Sequence, residues 1–245
     1  MTLDLPSIAV FAFAVALLGL SKGGLAGMGM MAMPLLLLVM PPPVAAGLML
    51  PILMTQDALT IWIYRGKWDV WNLKILIPGA IVGIAIGLVS FAVMPERVLL
   101  FVLGAVTFAF ALRGLLAGKA PARVPHPAIG VFLGAVSGFT STILHQGGPP
   151  FQIYMLPQRL PRDVFIGTTV IFFWAINLMK LPGFIALGQL TQHNLMIALV
   201  AAPWALFMTW VGSKIARRIE VERFYVIIHW LLLLVGVKLL ADALL

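Results

Sequence analysis

The sequence predicts an all-α integral membrane protein of two inverted repeats, each a re-entrant helical hairpin plus three transmembrane helices. Three observations predict it: the hydropathy, two apolar segments of unusual length, and the placement of the basic residues. Of 245 residues, 62% are hydrophobic and 10% charged, whereas a soluble globular domain carries about 25% charged residues. Mean hydropathy is +1.09. No soluble core of this length hides so much apolar surface, so lipid is the expected solvent.

Apolar stretches run over 5–40, 44–64, 72–94, 97–117, 126–158, 164–186, 193–213 and 224–243. This leaves no length for an appended soluble domain. Six of the stretches match a single spanning helix. The first and fifth are too long for one crossing and too short for two. Each is broken near its middle by Gly and small polar residues, GLSKGGLAGMG at 19–29 and SGFTSTILHQGGPP at 137–150. The start of the first stretch lacks a basic region, carrying only Asp4, and reads as a retained helix and not a cleaved signal.

The basic residues say what the long stretches do. Twelve of the sixteen Lys and Arg fall in four clusters: Arg65, Lys67 and Lys74; Arg113, Lys119 and Arg123; Arg159 and Arg162; Lys214, Arg217, Arg218 and Arg223. If every stretch crossed once, the last two clusters would lie opposite the first two, against the positive-inside rule. If 126–158 returns to its own side, all four become cytoplasmic and both termini face outward. The same reading makes 5–40 a hairpin with two arms of about fifteen residues, each ~22 Å long. Irregular backbone at that depth is tolerated only where protein or a cavity surrounds it.

The halves, 1–120 and 121–245, echo each other. Gly19 corresponds to Gly138, Asp57 to Asn177, Pro78 to Pro203 and Gly87 to Gly212, at offsets rising from 119 to 125. The basic connection at 65–74 corresponds to a nearly uncharged one at 188–193, and 95–97 to the strongly basic 214–223. One hairpin plus three crossings is an odd number, so the second half is inverted, a recurrent transporter design with interrupted helices near the midplane.

The candidate substrate-binding residues lie at the two breaks. At the first, Ser21, Lys22, Gly23 and Gly24 combine a cation with glycines that permit positive φ and leave amides uncovered. A returning helix would point its positive dipole end inward, a geometry that binds anions. The alternative is a full crossing with Lys22 reaching an interface. At the second break stand Thr140, Ser141, Thr142, His145, Gln146, Gly147 and Gly148, followed by Pro149 and Pro150. Proline suits the first turn of a helix, so a helix should open near 149. His145 is a ligand, a proton carrier or a packing residue. Gln56 and Asp57, with Asn177 and Lys180 in the corresponding helix, form a supporting group. Asp57 lies in an apolar span, where an anion is costly. It carries a coupled proton, pairs with Lys22 or Lys180, or is a structural hydrogen-bonder.

Other features read as architecture. Trp62, Trp68 and Trp71 look like interfacial anchors, Gly79, Gly83 and Gly87 like a close helix contact, and the Met residues of 28–54 like packing.

Several classes are excluded as expectations. The net charge of +8 sits between apolar stretches, with no basic run interleaved with aromatics, so no nucleic-acid partner is expected. Cysteine is absent, which removes thiolate metal sites and Cys nucleophiles. The four histidines, at 126, 145, 193 and 229, do not cluster in sequence. No GxSxG, HExxH or P-loop pattern occurs. Neither enzyme chemistry, a cofactor nor a metal is expected, and transport without an ATP-binding element is secondary or passive.

The strings GLSKGGLAGMGMMAMPLL, Asp57 with Tyr64–Arg65 and Trp68–Asp69, HQGGPP at 145–150, YMLPQRL at 154–160 and GTTVIFFWAINLMKLPGF at 167–184 resemble the TauE/SafE family. HQGGPP stands where many members carry a fuller glycine run. The resemblance implies an inner-membrane exporter of sulfite or an organosulfur anion, bound near the midplane between the hairpin tips. The alternatives from other classes are a membrane scaffold or assembly factor, which would carry no flux, and a channel, whose flux would not saturate.

Overall fold

Long runs of Leu, Ile, Val, Phe and Ala can satisfy their backbone without water only as helix, and the chain is built that way. The computed structural model describes residues 4–25, 27–116, 123–216 and 221–244, and no strand occurs among them. The helices are α1 (Leu5–Gly23), α2 (Ala32–Leu36), α3 (Pro42–Ile63), α4 (Val70–Val93), α5 (Glu96–Leu116), α6 (Pro127–Leu144), α7 (Gly148–Met155), α8 (Arg162–Ala186), α9 (Gln192–Ile215) and α10 (Val221–Leu244). Five of them, α1, α3, α4, α8 and α9, are long and apolar enough to cross a membrane. Lys119, Arg217 and Arg218 lie outside the described residues, as does the side chain of Arg223.

Both long stretches are interrupted helices, but their arms are unequal. In the first, α1 has 19 residues, roughly 28 Å by the helical rise. The return against it is only a 3₁₀ turn, Met28–Met31, and the five residues of α2. The expected fifteen-residue arms are thus redistributed, because Pro41 and Pro42 stop the return early. In the second, α6 has 18 residues and α7 eight, with the two prolines in the first turn of α7 as expected.

The chain forms two compact units. One comprises Met1–Gln56, Met94–Ala117 and Gln189–Leu245. Within it α1 packs on α9 and α5 on α10. Gly19 lies against Met208 and Thr209, and Gly23 against Thr209 and Ser213, so α1 and α9 run parallel. A Cβ on Gly23 would collide with the Thr209 carbonyl. In the other pair Gly104 meets Leu240 while Gly236 meets Phe108, the order of an antiparallel contact. Leu17, Leu25, Met28, Met30 and Met31 form the core beneath the first break, so these methionines are packing residues.

The second unit comprises Asp57–Val93 and Gly118–Gly188. Here α4 packs on α6 through glycine on both sides. Gly79 and Gly83 lie against the Val131 and Ala135 carbonyls, and Gly134 and Gly138 against Leu76 and Ala80. This is the close, parallel approach that small residues allow in lipid.

One end of this unit fixes the path of the second hairpin. The Arg123 amide donates to the Pro157 carbonyl at 2.9 Å, so 126–158 begins and ends at one place. Asn72 and Gln158 exchange amide hydrogen bonds at 3.0 and 3.1 Å, and Lys67 pairs with Asp163. The connections carrying Lys67, Arg123, Arg159 and Arg162 therefore gather at the same end. Trp62 and Trp71, near the same connection, are exposed, and Arg65 stacks over Trp62.

Candidate functional site

The first break is a backbone device. Gly24 and Gly27 adopt φ of 131° and 104°, a conformation that side chains resist. The Gly24 amide donates to the Ser21 carbonyl and that of Leu25 to Leu20, which closes α1. Ser21 lies under Gly29 of the returning turn. Gly23, expected at the substrate, is buried against α9. Lys22 is half-buried in the last turn of α1, where a cation complements the helix's terminal carbonyls. The dipole expected from a returning helix has only a 3₁₀ turn and five residues to arise from.

The second break is a polar cluster. α6 ends at His145, which is left-handed with φ 54°. A residue other than Gly or Asn in that region costs about 1–2 kcal/mol. Two hydroxyls from α6 hold the tip. Ser137 Oγ donates to the Gly147 carbonyl at 2.7 Å, and Thr140 Oγ1 lies 2.9 Å from the carbonyls of Gln146 and Val136. Thr142 instead donates within its own helix, to Gly138, and packs under Gly87. Because Pro149 and Pro150 bring no N–H, Gly148 is the one residue of the first three in α7 with an amide donor. Gln146 and Gly147 are buried.

A cation from α8 completes the cluster. Lys180 is fully buried. Its Nζ lies 3.0 Å from the Ser141 carbonyl, 3.1 Å from Ser141 Oγ and 3.1 Å from His145 Nδ1. An ammonium has three donors and no acceptor, so each of these atoms faces it as an acceptor. The imidazole then accepts at Nδ1 and carries its proton on Nε2, an assignment made from the donor chemistry. Phe184, one turn on, lies 5.9 Å from the ammonium and 6.0 Å from the imidazole. A buried cation in a membrane helix is expensive and by default marks a substrate or ion pathway.

The supporting group divides. Asn177, three residues before Lys180 on α8, donates to Asp57 Oδ2 at 2.9 Å, and both are buried. Gln56 Nε2 donates to the Val15 carbonyl of α1 at 3.3 Å. The structure thus brings Ser141, His145 and Lys180 into one cluster, with Thr140, Gln146 and Gly147 framing it. Ser137 was not singled out from sequence. Its signal was available, since it precedes Thr140 by one turn inside the small-polar string at the break. Lys180, expected in the supporting group with Asn177, is brought to Ser141 across 39 residues of sequence. Among the described residues no group of His, Asp or Glu is arranged to hold a metal.

A sequence profile described as Sulfite exporter TauE/SafE matches residues 11–239. Searches of curated proteins and of solved structures returned no match.

Proposed function

The chain belongs to the sulfite exporter TauE/SafE family, and from that premise we propose that it exports sulfite or an organosulfonate across the inner membrane, binding the anion at the second hairpin tip. That the protein is a multi-pass membrane protein of a transporter family follows from the profile match and the apolar helices. The observation that carries the site is Lys180, fully buried where α6 breaks and held by Ser141 and His145. A charge-bearing hydrogen bond in such a place contributes about 1.5–3 kcal/mol, or roughly ten- to a hundredfold in affinity. Gly147 and Gly148 supply the amides around it, while the Gln146 amide donates to the Thr140 carbonyl. Lys22, Ser21 and Gly24 at the first break act on the anion's path, while Asp57 and His145 are the candidates to couple a proton.

The same proposal takes the halves 1–120 and 121–245 as inverted repeats of one re-entrant hairpin and three crossings. Packing supports it. The long hairpin arm of each half lies parallel to the second crossing helix of the other half, α1 on α9 and α6 on α4, while the third crossing helices, α5 and α10, pack antiparallel. Gly66 and Gly188, which follow the corresponding helices α3 and α8, share φ of 74° and 67°. Asp57 and Asn177 occupy corresponding positions and bond to each other, as equivalent residues do near a two-fold axis. The gathering of basic connections at one end supports a cytoplasmic assignment for that end.

Purified protein in proteoliposomes should carry saturable flux of sulfite and small sulfonates and exclude cations. Saturation separates a carrier from a channel, and absence of any anion flux would favour a scaffold. Cysteines placed singly at 67 and 159 should label from the same face of sealed cells. Labelling from opposite faces would remove the re-entrant hairpin.

A further inference from the structure

At rest, the Ser141 carbonyl, Ser141 Oγ and His145 Nδ1 all lie within hydrogen-bond distance of the Lys180 ammonium. An anion that takes up a hydrogen bond from that charge competes with these atoms. The Ser141 carbonyl and hydroxyl belong to a helical residue with less than 3% exposure, fixed by α6. His145 differs: it is partly exposed, caps the helix, and stands at the hinge between α6 and α7. It is also held at φ 54°, where glycine would be cheaper. A strained side chain retained at such a hinge points to a role beyond closing the turn.

We propose that His145 is a built-in competitor for Lys180: a small oxyanion binds by displacing the imidazole from the ammonium, and the displaced imidazole takes up one proton with it. The inference rests on the anion site proposed above. At rest Nδ1 accepts from Lys180. Once the oxyanion accepts that N–H, Nδ1 faces an acceptor and contributes a hydrogen bond only if it carries a proton. The proton comes from the aqueous side on which the anion enters and leaves with the anion on the other, when the imidazole returns to Lys180. One anion and one proton therefore cross together.

Asp57 from α3 is held by Asn177. α6 brings none, α7 brings Tyr154, which lies beside Gly130 at the far end of α6, and α4 brings Lys74 near its start. Among the described carboxylates of these helices Asp163 is partly exposed and paired with Lys67, which makes Asp57, bonded to Asn177 one turn before Lys180, the rival for the proton.

The test is calorimetric binding of methanesulfonate to the purified full-length protein across the range in which an imidazole titrates, about pH 5.5 to 8.5. Methanesulfonate stays a monoanion throughout, so only the protein changes charge. Wild type should bind about tenfold more tightly at the acid end, the worth of one charge-assisted hydrogen bond. His145→Gly, which suits the left-handed turn, removes the competitor: its affinity should be independent of pH and about tenfold above wild type at the alkaline end. His145→Asn keeps an acceptor that cannot take a proton, so its affinity should be flat and without the gain. A flat wild-type profile, or weaker binding by His145→Gly at every pH, overturns the inference. A pH profile that survives in His145→Gly also overturns it and moves the proton to Asp57. Lys180→Gln is the separate control. If it binds like wild type, the anion site itself is misplaced, whatever His145 does.

Discussion

At 24 and 27 the first hairpin turns on two glycines, with φ of 131° and 104°, whereas the second turns at 145 on a histidine with φ 54°. The first spends its small residues on closure and contact: Gly24 and Gly27 reverse the chain, and Gly19 and Gly23 admit α9. The second keeps its glycines for contact with α4 and fills its break with hydroxyls, an imidazole and a lysine delivered by α8. A broken apolar segment thus marks a place where backbone leaves the helix. Which side chains converge there decides whether the place is architecture or a site.

The largest expected contrast is between the two cations. Lys180→Gln should weaken anion affinity by about a hundredfold, the upper range for a buried charged hydrogen bond. Lys22→Gln should cost less than about tenfold, since a half-buried charge is partly screened. Titration of sulfite against both variants, at matched expression, ranks them, and a larger loss at Lys22 would reverse the comparison.

Smaller effects separate the helix contacts. Gly83→Ala pushes a methyl into the Ala135 carbonyl, and Gly23→Ala pushes one into that of Thr209. Overpacking of this kind costs ~1–3 kcal/mol. The collision is deeper at Gly83, so thermal unfolding in detergent should drop further for Gly83→Ala than for Gly23→Ala. The opposite order would mean that α1 and α9 form the tighter pair. The smallest effect on binding belongs to Gly24→Ala, which strains the backbone at φ 131° by about 1–3 kcal/mol with anion affinity unchanged. A clear loss of affinity there would make the first tip part of the binding surface.

Much of this was legible because it is written locally. The order and ends of the spanning helices follow hydropathy, and the prolines at 149 and 150 announced α7. The charge clusters implied a returning segment, and the Arg123–Pro157 hydrogen bond, which joins the two ends of 126–158, supports the one proposed above. Gly79 and Gly83, read as a close contact, lie against α6. The rest depends on tertiary partners. Glycine spacing cannot tell a residue that exposes its amide from one that admits a neighbour, and Gly23, expected at the substrate, lies buried against α9. Nothing near Lys180 in sequence names Ser141 or His145 as its partners. The short return of α2 also escaped periodicity, since an apolar run has the same pattern whether it forms one long arm or one long and one short.

The central claim is that the anion sits on Lys180. Sulfite has a heavy-atom analogue in selenite, whose anomalous scattering locates it in crystals of the transporter. The account predicts a selenite peak within hydrogen-bonding distance of Lys180 Nζ and Ser141 Oγ, with the His145 ring turned away from the ammonium. A peak beside Lys22, with the Lys180–His145 contact intact, would contradict it.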